Sequence, residues 1–124
     1  MNLVDSSAWL EYFADGPNAP HFAPVVQQTD RLIVPAVVIY EVFKVVLRES
    51  DENAAMQVCG AMQKGQVVDL DLKLALAAGK LSLGLSLPMA DAMILATARE
   101  YGATIWTLDA DFRKIPGVKY FPKK

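Results

Sequence analysis

Short apolar runs, each separated from the next by a stretch with helical spacing, constrain this chain more than any other feature. Residues 3–4, 31–34, 66–69, 104–107 and 118–121 each read as a brief strand. The segments between the first four are too long for tight hairpins and carry helical periodicity, as crossovers between parallel strands do. Runs that are nearly continuously apolar, rather than alternating, belong to strands covered on both faces. The expected fold class is therefore α/β, a parallel five-stranded sheet flanked by helices on both faces. At 124 residues the chain is near the commonest size for one core, and no repeat, linker or low-complexity segment divides it. Residues 1–124 are read as a single domain.

The helices have recognisable ends. Asp5-Ser6-Ser7 can cap a helix carrying Trp9, Leu10 and Phe13, which Asp15-Gly16-Pro17-Asn18 terminates. A modest helix is expected over 22–28. Pro35 suits the start of another over 36–49. Further helices are expected over 51–64, 72–83 and 89–101, the last stopped by Gly102. The 36–49 helix is apolar almost all round, with Glu41, Lys44 and Arg48 as a narrow polar stripe at i, i+3, i+7. Such a helix is expected to be enclosed on most sides, by the sheet and by a second subunit.

Charge at first weighs against a nucleic-acid binder. The chain has 12 Lys and Arg against 14 Asp and Glu, a net charge of −2, and phosphate contacts need cations. The objection weakens if the acids hold metal: two divalent ions would take −2 to +2. A hydrophobic fraction of 53% is enough for a core with apolar surface to spare for an interface. No apolar run approaches the roughly 18–20 residues of a membrane span, and the N-terminus lacks a basic leader region. Cys59 is the only cysteine, which precludes an internal disulfide and reads as a buried thiol. These features lead to the expectation of a cytoplasmic chain with no membrane association.

Four acids could converge although they are far apart in sequence. Open α/β sheets bind ligands beyond the carboxyl ends of their strands. Asp5 follows the first strand and Asp109 the fourth, while Glu41 and Asp91 fall in the first turns of helices leaving that edge. Crowded carboxylates raise one another's pKa, and hard divalent cations such as Mg²⁺ or Mn²⁺ offset the repulsion. Each acid also has a simpler reading. Asp5 could cap its helix, Glu41 could pair with Lys44 or Arg48, Asp91 could serve a helix N-terminus, and Asp109 and Asp111 could be turn residues.

Taken in order, Asp5-Ser6-Ser7, Glu41 in its Val-rich helix, Met89-Ala90-Asp91-Ala92 and Thr107-Leu108-Asp109-Ala110-Asp111-Phe112 resemble the PIN-domain nucleases. Within them the resemblance is to the VapC toxins of toxin–antitoxin pairs, and it covers essentially the whole chain. It implies Mg²⁺- or Mn²⁺-dependent endoribonuclease activity, with Asp5, Glu41, Asp91 and Asp109 as the catalytic and metal-binding acids. Ser6 and Thr107 match supporting hydroxyl positions, and Asp111 an auxiliary acid. The resemblance further implies an RNA substrate, a homodimer and a cognate VapB-like antitoxin seated in the active-site groove.

This chain is more acidic than many relatives. Its candidate RNA-phosphate contacts are Lys44, Arg48, Arg99, Arg113 and Lys114, while the tail lysines Lys119, Lys123 and Lys124 read as solubilising. Other readings are an RNA-processing nuclease without an antitoxin, a phospho-acceptor receiver-like module using Asp69 or Asp71, and a catalytically silent interaction domain. His21, Trp9, Tyr12 and Phe13 read as packing residues.

Overall fold

Leu3 and Val4 are completely buried because β1 (Asn2–Val4) is the central strand of a five-stranded sheet. The computed structural model describes all residues 1–124. The other strands are β2 (Leu32–Pro35), β3 (Gln66–Val68), β4 (Thr104–Thr107) and β5 (Val118–Tyr120). Their order is β3-β2-β1-β4-β5, and every neighbouring pair is parallel. Leu3 lies opposite Ile33 on one side and Ile105 on the other, so apolar residues cross the middle of the sheet in register. β2 starts one residue later than the sequence reading, because Arg31 belongs to a single 3₁₀ turn over Thr29–Arg31.

Six helices make the crossovers: α1 (Ser6–Phe13), α2 (Ala19–Gln27), α3 (Ala36–Glu49), α4 (Glu52–Met62), α5 (Leu72–Leu85) and α6 (Met89–Tyr101). α2 begins earlier than expected because Pro20 in its first turn gives up only a donor the helix does not need there. α5 runs through Gly84 and stops where Ser86 adopts the left-handed conformation (φ 54°). α6 ends at Gly102 (φ 60°), as its sequence signals.

Within its own chain α3 is enclosed only in part: Val38 and Val42 are buried, and Tyr40 and Leu47 are exposed. α1, α4, α6 and β2 each pack against part of it. Cys59 is half-buried rather than buried. No single helix is long and apolar enough to cross a membrane.

The strand order fixes where chemistry can sit. Connections from β1 proceed through β2 to β3, then the chain returns past both to β4 and continues outward to β5. With right-handed crossovers, the first two connections fall on one face and the returning one on the other. The direction reverses between β1 and β4, which opens a crevice at their carboxyl ends.

Gly65 tests the packing at the other end of the strands. A Cβ there would lie 2.8 Å from Val34 Cγ2 and 3.0 Å from the Leu32 carbonyl oxygen. Gly65→Ala should therefore cost about 1–3 kcal/mol in urea unfolding, and an unchanged midpoint would contradict this packing.

Candidate metal centre

Asp5 is only 2% exposed and stands at the mouth of the β1/β4 crevice. It is the N-cap of α1, its Oδ1 accepting from the Ala8 backbone N–H at 3.0 Å and from the Ser7 hydroxyl at 2.7 Å. Its Oδ2 accepts from the Thr107 hydroxyl at 2.5 Å. The Thr107 oxygen in turn accepts from the Asp109 backbone N–H at 2.8 Å, and the Ser7 oxygen accepts from that of Leu108 at 3.0 Å. Two hydroxyls thus tie the end of β1 to the segment leaving β4. The capping reading of Asp5 is realised, and the same side chain feels the charge of Asp109.

Asp109 caps a 3₁₀ turn over Ala110–Phe112, its Oδ1 accepting from the Asp111 N–H at 2.9 Å. Asp91 is the third residue of α6. Asp91, Asp109 and Asp111 each offer a carboxylate oxygen within 4.8 Å of the other two. Asp111, ranked auxiliary on sequence, is a full member of this trio. Asp5 and Glu41 lie outside it, but both feel the charge of Asp109.

Glu41 sits in the second turn of α3, not the first. The pairing once open to it is not made: Arg48 contacts Glu49 at 3.2 Å, and the Lys44 ammonium lies 5.7 Å from the Tyr40 ring centre. Its Oε1 is buried without a hydrogen-bond partner. An unpartnered acid oxygen in a half-buried side chain is costly unless something positive is meant to meet it.

The charges repel as the sequence reading anticipates. Partial burial, then the charges of Asp109 and Asp111, push the Asp91 carboxyl up to about 8. Burial raises Asp5 to about 6 against the pull of the Thr107, Ser7 and Ala8 donors. Glu41 is raised by burial and by Asp109, with the Ser6 hydroxyl opposing. The donors are hard carboxylate oxygens, and the single histidine, His21, stacks on Phe121 at 4.4 Å. The site therefore fits Mg²⁺ or Mn²⁺ and offers zinc none of its usual soft or imidazole ligands.

The remaining candidates are scattered. Arg113 and Lys114 directly follow the acidic turn and are exposed. Lys44 and Arg48 are exposed on α3. Arg99 lies in the last turn of α6, eight residues or roughly 12 Å along the axis from Asp91. Asp71, the receiver-type candidate, caps α5 by accepting from the Leu74 N–H at 2.8 Å. Ser7 was missed by sequence reasoning, which chose Ser6. The two are adjacent hydroxyls after a capping acid, and only the meeting of β1 with β4 tells them apart.

The fold and the rim define a parallel α/β protein with an acidic cluster suited to a divalent cation at its switch point. The sequence matches the PIN domain over residues 3–118, and the chain belongs to that family. No curated protein sequence matches it. Among solved structures it is similar to a toxin–antitoxin complex from Klebsiella pneumoniae (TM-score 0.84, 20% identity, 98% of this chain and 99% of that one). It is also similar to Mycobacterium tuberculosis VapC20, described as a sarcin–ricin loop cleaving toxin (0.81, 18%, 98% and 100%). A third is the DNA-bound VapBC from Salmonella typhimurium (0.74, 17%, 98% and 98%). At these identities the likeness is one of fold.

Two measurements follow from the site. In metal-free protein, folded Asp91 and Asp5 hold protons that the unfolded chain releases near its ordinary 3.8. The unfolded state then binds fewer protons, so their contribution makes stability fall as pH rises from about 4 to about 8 and level off above. With EDTA, the melting temperature of wild type should drop more between pH 5 and 8 than that of Asp91→Asn, and Mn²⁺ should raise it more at pH 8 than at pH 5. Parallel pH profiles for the two proteins would contradict the repulsion described. Separately, Thr107→Val should cost about 1–3 kcal/mol in urea unfolding, because it strips a donor from buried Asp5 and the acceptor from the Asp109 N–H.

Proposed function

We propose that this chain is a Mg²⁺- or Mn²⁺-dependent endoribonuclease, the toxin of a type II toxin–antitoxin pair, acting in the cytoplasm as a homodimer. The observation that carries the reading is the convergence of Asp91, Asp109 and Asp111 within 4.8 Å at the β1/β4 crevice. The unpartnered Oε1 of Glu41 supports it further. Membership of the PIN family and likeness in fold to solved toxins support the choice of substrate class and partner.

In this reading Asp91, Asp109 and Asp111 hold the cation, and Glu41 contributes its free oxygen to the same set. A bound divalent ion supplies an activated water and charge stabilisation for the leaving oxygen of a phosphodiester. Asp5 is catalytic through orientation as well as charge, since its three donors fix it and Thr107 carries that order to Asp109. Thr107 and Ser7 are positioning residues, and Ser6 tempers Glu41. Arg113 and Lys114, next to the acidic turn, are the nearest in sequence of the candidate phosphate contacts to the trio. Exposed apolar residues such as Tyr40, Leu47, Leu72 and Leu83 supply surface for a second copy or a VapB-like antitoxin.

Asp91→Asn is the cleanest test, because Asp5→Ala would also remove the cap of α1, at about 0.5–2 kcal/mol. Purified Asp91→Asn should show no Mg²⁺- or Mn²⁺-dependent RNA cleavage and relieve growth arrest on expression, while melting no lower than wild type in EDTA. Cleavage by folded Asp91→Asn at the wild-type rate would overturn the reading.

A further inference from the structure

We propose that Lys123 and Lys124 form a phosphate-binding wall beside the carboxylates, across which a single-stranded RNA backbone lies; the inference rests on the nuclease reading above. These residues are not a free tail. Phe121 is stacked between His21 (4.4 Å, 16°) and Trp106 (6.1 Å, 14°), with Phe22 edge-on at 5.5 Å. The Phe121 N–H donates to the Thr107 carbonyl at 2.9 Å, so the chain beyond β5 is tied to the end of β4. Buried Asn18 donates its side-chain N–H to the Pro122 carbonyl at 3.0 Å. Residues 121 and 122 are therefore clamped, and the next two side chains are delivered to one place.

That place is the surface that adjoins the acidic rim at Asp109. Two adjoining clefts of about 470 and 480 Å³ share Ser7, Leu108 and Lys123 in their walls. One reaches Asp109, and the other runs outward past Ser6 to Lys124. Neither lysine has a carboxylate partner. Glu11 lines the outer cleft, but its Oε2 already accepts from the Asn18 backbone N–H at 2.8 Å. A backbone crossing from Asp109 towards Ser6 meets Lys123 first and Lys124 next. In a chain of net charge −2, whose rim would repel the phosphates flanking a cut, two unpaired ammonium groups supply the missing attraction.

The test uses full-length protein in the Asp91→Asn background, a fluorescein-labelled single-stranded RNA oligonucleotide, and anisotropy across a salt series. Lys123→Ala with Lys124→Ala should weaken binding several-fold and lower the slope of log K against log salt by about 1.4, at about 0.7 per phosphate contact. Arg at both positions should preserve binding, and in the active background the Ala pair should raise KM more than it lowers kcat. Phe121→Ala, with folding checked by melting, should weaken binding in the same direction although both lysines remain. Unchanged affinity and salt slope in the Ala pair, with RNA still cut by wild type, would overturn this inference and leave the nuclease reading standing. If wild type neither binds nor cuts RNA, both fall. Loss of binding to polyglutamate with RNA affinity intact would overturn it in favour of an acidic protein partner.

Discussion

The hydrogen bond from Thr107 to Asp5 is the constraint on which the site depends. It joins two segments separated by 102 residues and does so between buried groups. A buried carboxylate is tolerated only when donors satisfy it, and Asp5 has three. The same Thr107 oxygen receives the Asp109 N–H, so the acid at the end of β1 sets the direction of the acid after β4. Ser7 repeats the arrangement one step along, between Asp5 and Leu108. The sheet brings the two strand ends side by side, and the hydroxyls convert that proximity into a fixed rim.

Stability and chemistry pull in opposite directions at this rim. Beneath it, Leu3, Val4, Ile33, Val34 and Ile105 form a core with almost no solvent contact. At its surface, Asp91, Asp109 and Asp111 crowd their charges, and Glu41 keeps an oxygen that no protein group answers. Proteins depart from local consistency mainly where they act, and here the departures coincide with the topological switch point. The crowded acids stand on α3, on α6 and on the turn after β4, and hydrogen bonds from Thr107 and Ser7 tie that turn to the buried end of β1.

Much of this was legible in the sequence because the governing signals are local. Five apolar runs separated by helical spacing specify the sheet, and Gly102 and Pro35 mark helix ends. Asp5 and Asp109 stand next to strand ends, Asp91 in a first helical turn, and Glu41 interrupts an apolar helix. What was not legible depends on tertiary meeting. Pro20 and Pro24 hid the length of α2. The apolar girth of α3 showed which surfaces could be covered but not whether this chain covers them. Choosing Ser7 over Ser6, or placing Asp111 beside Asp91, requires knowing how β1 and β4 lie together. The tail lysines looked like solvated charge because nothing in their own neighbourhood reveals that Asn18 and His21 hold the residues before them.

The position of β1 carries a consequence for how the molecule comes into being. The centre of the sheet is made first, and its second neighbour, β4, is made about a hundred residues later. Until then one edge of β1 has no partner, and Asp5 lacks the hydroxyl that completes its hydrogen bonding. Nascent chain emerging from a ribosome therefore cannot assemble the rim piecemeal. The acids come together only when synthesis has passed Asp111, so any capacity of this rim to bind a cation appears late, once β4 has joined β1.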